Sequence, residues 1–282
     1  MSDRFTVRTM SDADRALAVG WAAAEGWNPG LHDAETFAAQ DPDGFLVGCL
    51  DGAPVASISV VRYGATFGFL GLYIVVPAQR GRGYGWRLWQ AGMERLAGRN
   101  VGLDGVVAQQ DNYRKSGFVL AHRNVRYAGR GTGPAARDAA IVAAAAVPFA
   151  ALAAYDRAFF ADARTAFLRA WLAQGDATAL AYVRDGSVQG YGVVRRCLAG
   201  HKIGPLFADS PAVAQSLFAA LAGAVPPDES VYLDVPEPNA DAVALAHRHG
   251  MAIAFETARM YTREAPPLPV ARTYGITTFE LG

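Results

Sequence analysis

The sequence predicts an α/β protein built as two tandem copies of one mixed-sheet unit. Three observations predict it. Just over half of the 282 residues are apolar (52%), enough for a large packed core and too many for a disordered chain. Asp51-Gly52 and Asp185-Gly186 each separate two β-rich runs, the strongest short-range hairpin signal. These hairpins belong to five landmarks that recur in the same order about 130 residues later, a domain-sized period.

The elements follow in matched order. The first copy opens with a strand, "FTVRTM", and the second with "AAIVAAAAV". Ser11 caps a helix at "SDAD", and Pro148 stands at the start of the helix "FAALAAYDRAFF". The hairpins come next, "GFLVGCLDGAPVASISVV" and "ALAYVRDGSVQGYGVV". A further strand follows each, "FGFLGLYIVV" and "HKIGPLFAD". After these, "VGLDGVV" and "VYLDVPE" are strands leading into short helices that stop at Gly117 and Gly250. Closing strands are "RNVRYAG" and "TARMYTR".

This pattern divides the chain into domains at residues 1–130 and 137–265, with a tail at 266–282. The Gly-rich "AGRGTGPAAR", Ala128 to Arg137, reads as the linker. In the tail, "EAPPLPV" precedes a strand-like "RTYGITTFELG", expected to pair with an open sheet edge.

Acidic and basic residues balance at 26 each, which argues against nonspecific binding to nucleic acid or to a membrane surface. The two cysteines, Cys49 and Cys197, lie far apart, as suits a reducing cytosol. A polar, charged N-terminus is no secretory leader, and the longest apolar stretch is alanine-rich and broken by Pro148. The expectation is a soluble cytoplasmic protein, monomer or homodimer. No metal-ligand spacing is present; His247 and His249, two apart on a helix, face different sides.

The chemistry centres on "VVPAQRGRGYGWRLW", Val75 to Trp89. Such a glycine loop between a strand and a helix wraps a phosphate. A nucleotide-triphosphate loop needs Lys and a hydroxyl after the last glycine, but Trp86 and Arg87 follow Gly85. A dinucleotide fingerprint has Asp104 at a suitable distance, but Trp86 stands where its third glycine belongs. The pattern Arg80-x-x-Gly83-x-Gly85 fits better elsewhere. It resembles the acetyl-CoA motif of the GNAT superfamily of N-acetyltransferases. The order of elements over residues 4–127 matches that family, and so does "YRKSGF", Tyr113 to Phe118. The second half resembles the family in strand order only. "DSPAVAQSLF" replaces its glycines and Ala246 stands where a catalytic tyrosine belongs, a degenerate copy without its own acetyl-CoA.

The resemblance implies an acetyl-CoA-dependent N-acetyltransferase acting on a primary amine of a small molecule or peptide. Attack is direct, in a ternary complex. Arg80, Gly81, Arg82, Gly83, Tyr84, Gly85 and Trp86 hold the donor, and the backbone at Ile74 and Val75 faces the thioester carbonyl. Tyr113 is the general acid, because a phenol with an ordinary pKa is protonated at neutral pH. The amine needs a base. Many relatives carry a glutamate on the fourth strand, whereas "FGFLGLYIVV" has no carboxylate. Glu25 is the candidate chosen, with Asp33, Asp111, His32 and His122 as others. Trp21 and Trp27 line the acceptor pocket or pack in the core, while Trp86 and Trp89 are expected to pack the loop's helix on the sheet. The missing strand carboxylate leaves a second reading, a non-catalytic acetyl-CoA sensor or scaffold.

Overall fold

A computed structural model describes residues 4–134 and 138–282. The first half contains β1 (Phe5–Thr9), α1 (Asp12–Ala24), α2 (Asp33–Ala38), β2 (Phe45–Leu50) and β3 (Ala53–Tyr63). It continues with β4 (Phe67–Val75), α3 (Tyr84–Arg95), β5 (Asn100–Val106), α4 (Gln110–Lys115) and β6 (Val119–Arg130). The second half opens with β7 (Ile141–Ala143), α5 (Phe149–Asp156), α6 (Thr165–Ala173), β8 (Ala177–Arg184) and β9 (Ser187–Arg196). Then come β10 (His201–Ala208), α7 (Pro211–Ala222), β11 (Ser230–Pro236), α8 (Ala240–Arg248), β12 (Ala252–Tyr261) and β13 (Thr273–Gly275).

Local signals act where the sequence places them. Ser11 caps α1 in a reciprocal box: its hydroxyl accepts from Asp14 N–H (3.3 Å) and Asp14 accepts from Ser11 N–H (2.8 Å). Both Asp-Gly turns have positive φ at both residues, the geometry that matches the twist of a two-residue hairpin. Gly117 and Gly250 end their helices with φ of 88° and 64°.

The closing strands depart from a simple tandem. Twelve of the described strands join one sheet in the order β1-β2-β3-β4-β5-β12-β6-β11-β10-β9-β8-β7, and β13 joins it off this path. β12, from the second half, inserts between β5 and β6; β6, from the first half, lies between β12 and β11. Each half therefore completes its sheet with a strand of the other, β12 for the first half and β6 for the second. Two buried ion pairs mark the exchange. Arg259 on β12 meets Asp104 on β5 (2.7 Å), and Arg126 on β6 meets Asp234 on β11 (2.6 Å). The core is shared as well: Phe37 of α2 stacks on Trp171 of α6 (6.2 Å), and Tyr63 and Phe67 pack on Phe160.

Two expectations are corrected. Ala128–Arg130 are not linker but the end of β6, bonded to β11; residues 135–137 of the expected linker lie outside the described residues, as do the first three of the chain. The tail strand β13 does not extend an outer edge. It pairs with β10, in the interior of the sheet, because a gap between β10 and β11 offers free backbone groups there. No helix among the described residues is long and apolar enough to cross a membrane.

Candidate active site

β4 and β5 run parallel from Phe67↔Asn100 to Leu70↔Leu103 and then diverge. A bulge starts the divergence. Between Ser57↔Ile74 and Ser59↔Gly71, β4 carries two residues opposite one, with Leu72 at φ 45°. Ser57 donates to the Leu72 carbonyl at 2.8 Å and holds the distortion. Further on, Val76 N–H donates to the Val55 carbonyl on β3 (3.0 Å). Alternate residues of a strand face opposite neighbours. Val75 N–H is therefore turned towards the fork, whereas Ile74, in register with Ser57, turns its N–H to β3.

The fork holds a cavity of about 520 Å³, lined on the β4 side by Leu70 to Val75 and on the β5 side by Leu103, Asp104 and Val106. The glycine loop meets the cavity through Arg80, whereas Gly81 to Trp86 are not part of its lining. Gly81 and Gly83 have φ of 76° and 82°, a conformation that side chains resist, and open space around them. Gly83 begins α3 without a side-chain cap, and the helix ladder starts with Arg87 N–H to the Gly83 carbonyl (3.1 Å). The first helical turn thus presents backbone N–H groups and the positive end of the helix dipole. Gly85 lies against β4: a Cβ there would stand 2.8 Å from the Tyr73 hydroxyl. Arg80 Nε donates to the Val75 carbonyl (2.8 Å), and its Nη2 pairs with Glu25. Arg82 lies in the exposed part of the loop, and Tyr84 is buried on Phe5 (4.9 Å between ring centroids).

Tyr113 lines the cavity from α4, its ring against Gly105, and stacks on Trp89 (5.7 Å), which also meets Tyr73 (5.3 Å). Burial, with a smaller contribution from Tyr73, pushes the Tyr113 phenol far above its ordinary range, so it stays protonated. Burial likewise pushes Tyr73 up to about 12.

The base candidates scatter. Glu25 lines the cavity, with its carboxylate held by Arg80. Asp33 is wholly buried and does not line the cavity; it is bonded to Arg195 (3.0 Å) and to Gly30 N–H (2.7 Å). Burial alone would raise its pKa, but Arg195 and Lys202 outweigh burial and lower it. Asp111 pairs with Arg114 on the surface, and His32 with Asp176. His122 opens into a different cavity, of about 190 Å³, beside Arg164 and Arg259. Trp27 lines the first cavity; Trp21 packs in the core. Trp89 is buried as expected, but Trp86 is not packed on the sheet: it is 57% exposed, since its place in the first turn of α3 faces outwards.

Two residues that nothing in the sequence placed here, Phe279 and Glu280, line the same cavity from the tail. The tail also explains the second half. There β10 and β11 pair from His201↔Val231 to Ile203↔Leu233 and diverge as β4 and β5 do. This fork is filled by chain. β13 pairs with β10 on one side, and Ile276 N–H donates to the Asp234 carbonyl of β11 (2.9 Å) on the other. Gly204 admits the tail: a Cβ there would lie 2.5 Å from the Thr277 carbonyl oxygen.

The comparisons agree with this architecture. The model of the acetyltransferase (GNAT) family matches residues 10–118, and that of the acetyltransferase (GNAT) domain matches residues 152–275. Holothin acyltransferase of Pseudoalteromonas sp. (strain SANK 73390) is 32% identical over 262 residues, covering 93% of this chain and 89% of that enzyme. The crystal structure of a putative acetyltransferase from Pyrococcus horikoshii superposes with a TM-score of 0.83 at 25% identity, over 99% of this chain and 96% of that one. A tandem GNAT protein from the clavulanic acid biosynthesis pathway shares the fold, with a TM-score of 0.65 at 15% identity over 93% of this chain and all (100%) of its own. Two matched domains, and a relative that spans nearly all of both, make the chain a tandem acyltransferase that belongs to the GNAT acetyltransferase family.

Proposed function

We propose that this protein transfers an acetyl group from acetyl-CoA to the amine of a small molecule, and that only its first half holds the donor. The observation that carries this reading is the contrast between the two forks. The first is open, with a glycine loop at its end and Tyr113 inside. The second is filled by the tail, and α7 begins on Ser210 and Pro211 with no glycine loop.

The parts suit the chemistry. The N–H groups at Gly81, Gly83 and the first turn of α3 face where a pyrophosphate would lie. The Val75 N–H, turned into the fork, suits the oxygen of the thioester carbonyl as it gains charge. The protonated Tyr113 phenol gives its proton to the departing thiolate. Trp27, Phe255 and Phe279 make an apolar wall for the acceptor. The aromatic character of this wall favours a small apolar amine over a peptide. Holothin is the first acceptor to try, because the relative Holothin acyltransferase is named for it.

The test is an acetyl-CoA titration followed by a screen of small amines, holothin included, for release of free thiol. Saturable binding with release of thiol is the expected result. Binding without release to any amine would favour the sensor, and no binding would reject both readings. Gly83→Glu places a bulky anion at the phosphate position and is expected to abolish binding.

A further inference from the structure

Transfer to an amine needs a proton acceptor, and β4 carries no carboxylate. The tail brings one. After β13, residues 276–282 cross from the second half's fork to the first half's cavity, and all of them are buried. The crossing is fixed at several points. Thr277 Oγ1 accepts from Arg164 (2.9 Å), Thr278 Oγ1 accepts from Glu280 N–H (3.1 Å), and Tyr63 donates to the Leu281 carbonyl (3.1 Å). The Glu280 carbonyl rests on Gly71, where a Cβ would lie 2.2 Å from its oxygen. Gly71 is the first residue of β4 beyond its ladder with β5. The tail therefore sets Glu280 at the point where the fork opens.

Glu280 lines the cavity although it is only 5% exposed. The other carboxylates there are engaged: Glu25 by Arg80, and Asp104 by Arg259 and Asn124. Among the described residues no protein donor hydrogen-bonds the Glu280 carboxylate. The charges that act on it through space are Lys202 of β10, Asp33 of α2, Arg126 of β6 and Arg195 of β9. Arg126 is paired with Asp234, and Arg195 with Asp33. Lys202, whose Nζ donates to the Trp27 carbonyl (3.1 Å), is left to balance Glu280.

We propose that Glu280 is the general base of this transfer, supplied to the first half's site by the tail. The proposal rests on the N-acyl transfer reading above. The amine nitrogen forms a bond to the thioester carbon as its proton passes to the Glu280 carboxylate. The carbon–sulfur bond breaks, and the thiolate takes a proton from Tyr113. Water returns the proton from Glu280 to Tyr113, so the products are an amide and free CoA. Burial raises the Glu280 carboxyl above the usual carboxylate range, while Lys202 opposes the shift. A raised value makes the carboxylate a better proton acceptor near neutral pH. Activity should rise with pH as Glu280 ionises.

The test compares the full-length protein with Glu280→Gln, Glu280→Asp and Glu25→Gln, using acetyl-CoA and holothin and following thiol release against pH. Glu280→Gln is expected to lose about 10²-fold in kcat and the acidic limb of the profile, with acetyl-CoA affinity unchanged. Glu280→Asp keeps the charge but not the reach, and is expected to keep the limb at reduced kcat. Glu25→Gln keeps the limb. An active wild type beside a Glu280→Gln variant with the same limb and a kcat within about twofold would overturn this proposal alone. If Glu280→Gln fails to fold, an Asp variant without an acidic limb does the same. A wild type that binds acetyl-CoA and releases no thiol overturns the transfer reading, and the base with it.

Discussion

At the scale of single residues, the site separates chemistry from packing. Tyr113→Phe removes the proton and keeps the ring that stacks on Trp89. Thiol-release assays should show kcat reduced by about 10² to 10⁴, with acetyl-CoA binding unchanged. Gly71→Ala should act through the tail. Its new Cβ meets backbone, which cannot yield as a flexible side chain does. We expect a loss of about 1–3 kcal/mol in denaturant unfolding, together with reduced kcat. His122 sets an acid limit. Burial, aided by Arg259, pulls its pKa from 6.5 down to about 4. A depressed folded value stabilises the protein above about pH 6.5, and this contribution fades as pH falls towards 4. His122→Gln should flatten the dependence of unfolding free energy on pH across that window. The glycine loop and the place of Tyr113 were legible in the sequence because each is set within a few residues of its motif. Glu280 was not, because its position depends on where the tail runs.

At the scale of elements, the hairpins, caps and helix stops were legible for the same local reason. The partners of β6 and β12 were not. Each strand buries the same pattern whichever neighbour it has, so its periodicity is silent about the exchange. The buried pairs Arg126–Asp234 and Arg259–Asp104 distinguish the arrangement in space, but in sequence they are two Asp and two Arg more than a hundred residues apart. Asp234→Ala leaves Arg126 buried and unpaired. Breaking such a pair costs about 3–5 kcal/mol, read as a lowered midpoint in denaturant unfolding. The tail is the second element that sequence alone misplaced. Its few strand-like residues said that it would pair, and only the gap between β10 and β11 determines where.

At the scale of the whole molecule, the two halves are not separable beads. Residues 4–134 alone would carry β6 without β11 and β5 without β12. The segment should be insoluble or unfolded by circular dichroism, and co-expression with residues 138–282 should restore a soluble complex. The intact chain should unfold in one transition, because the sheet and the aromatic core run through both halves. The exchange also has a kinetic consequence. β5 ends at Val106 and waits for Thr257 of β12 to cover it. Contacts so distant along the chain form late, since a long loop has to close before they stabilise anything. Until then β5 is a bare edge, open to β12 from another molecule. Refolding at high protein concentration should therefore yield intertwined dimers, in which each molecule lends β12 to its neighbour.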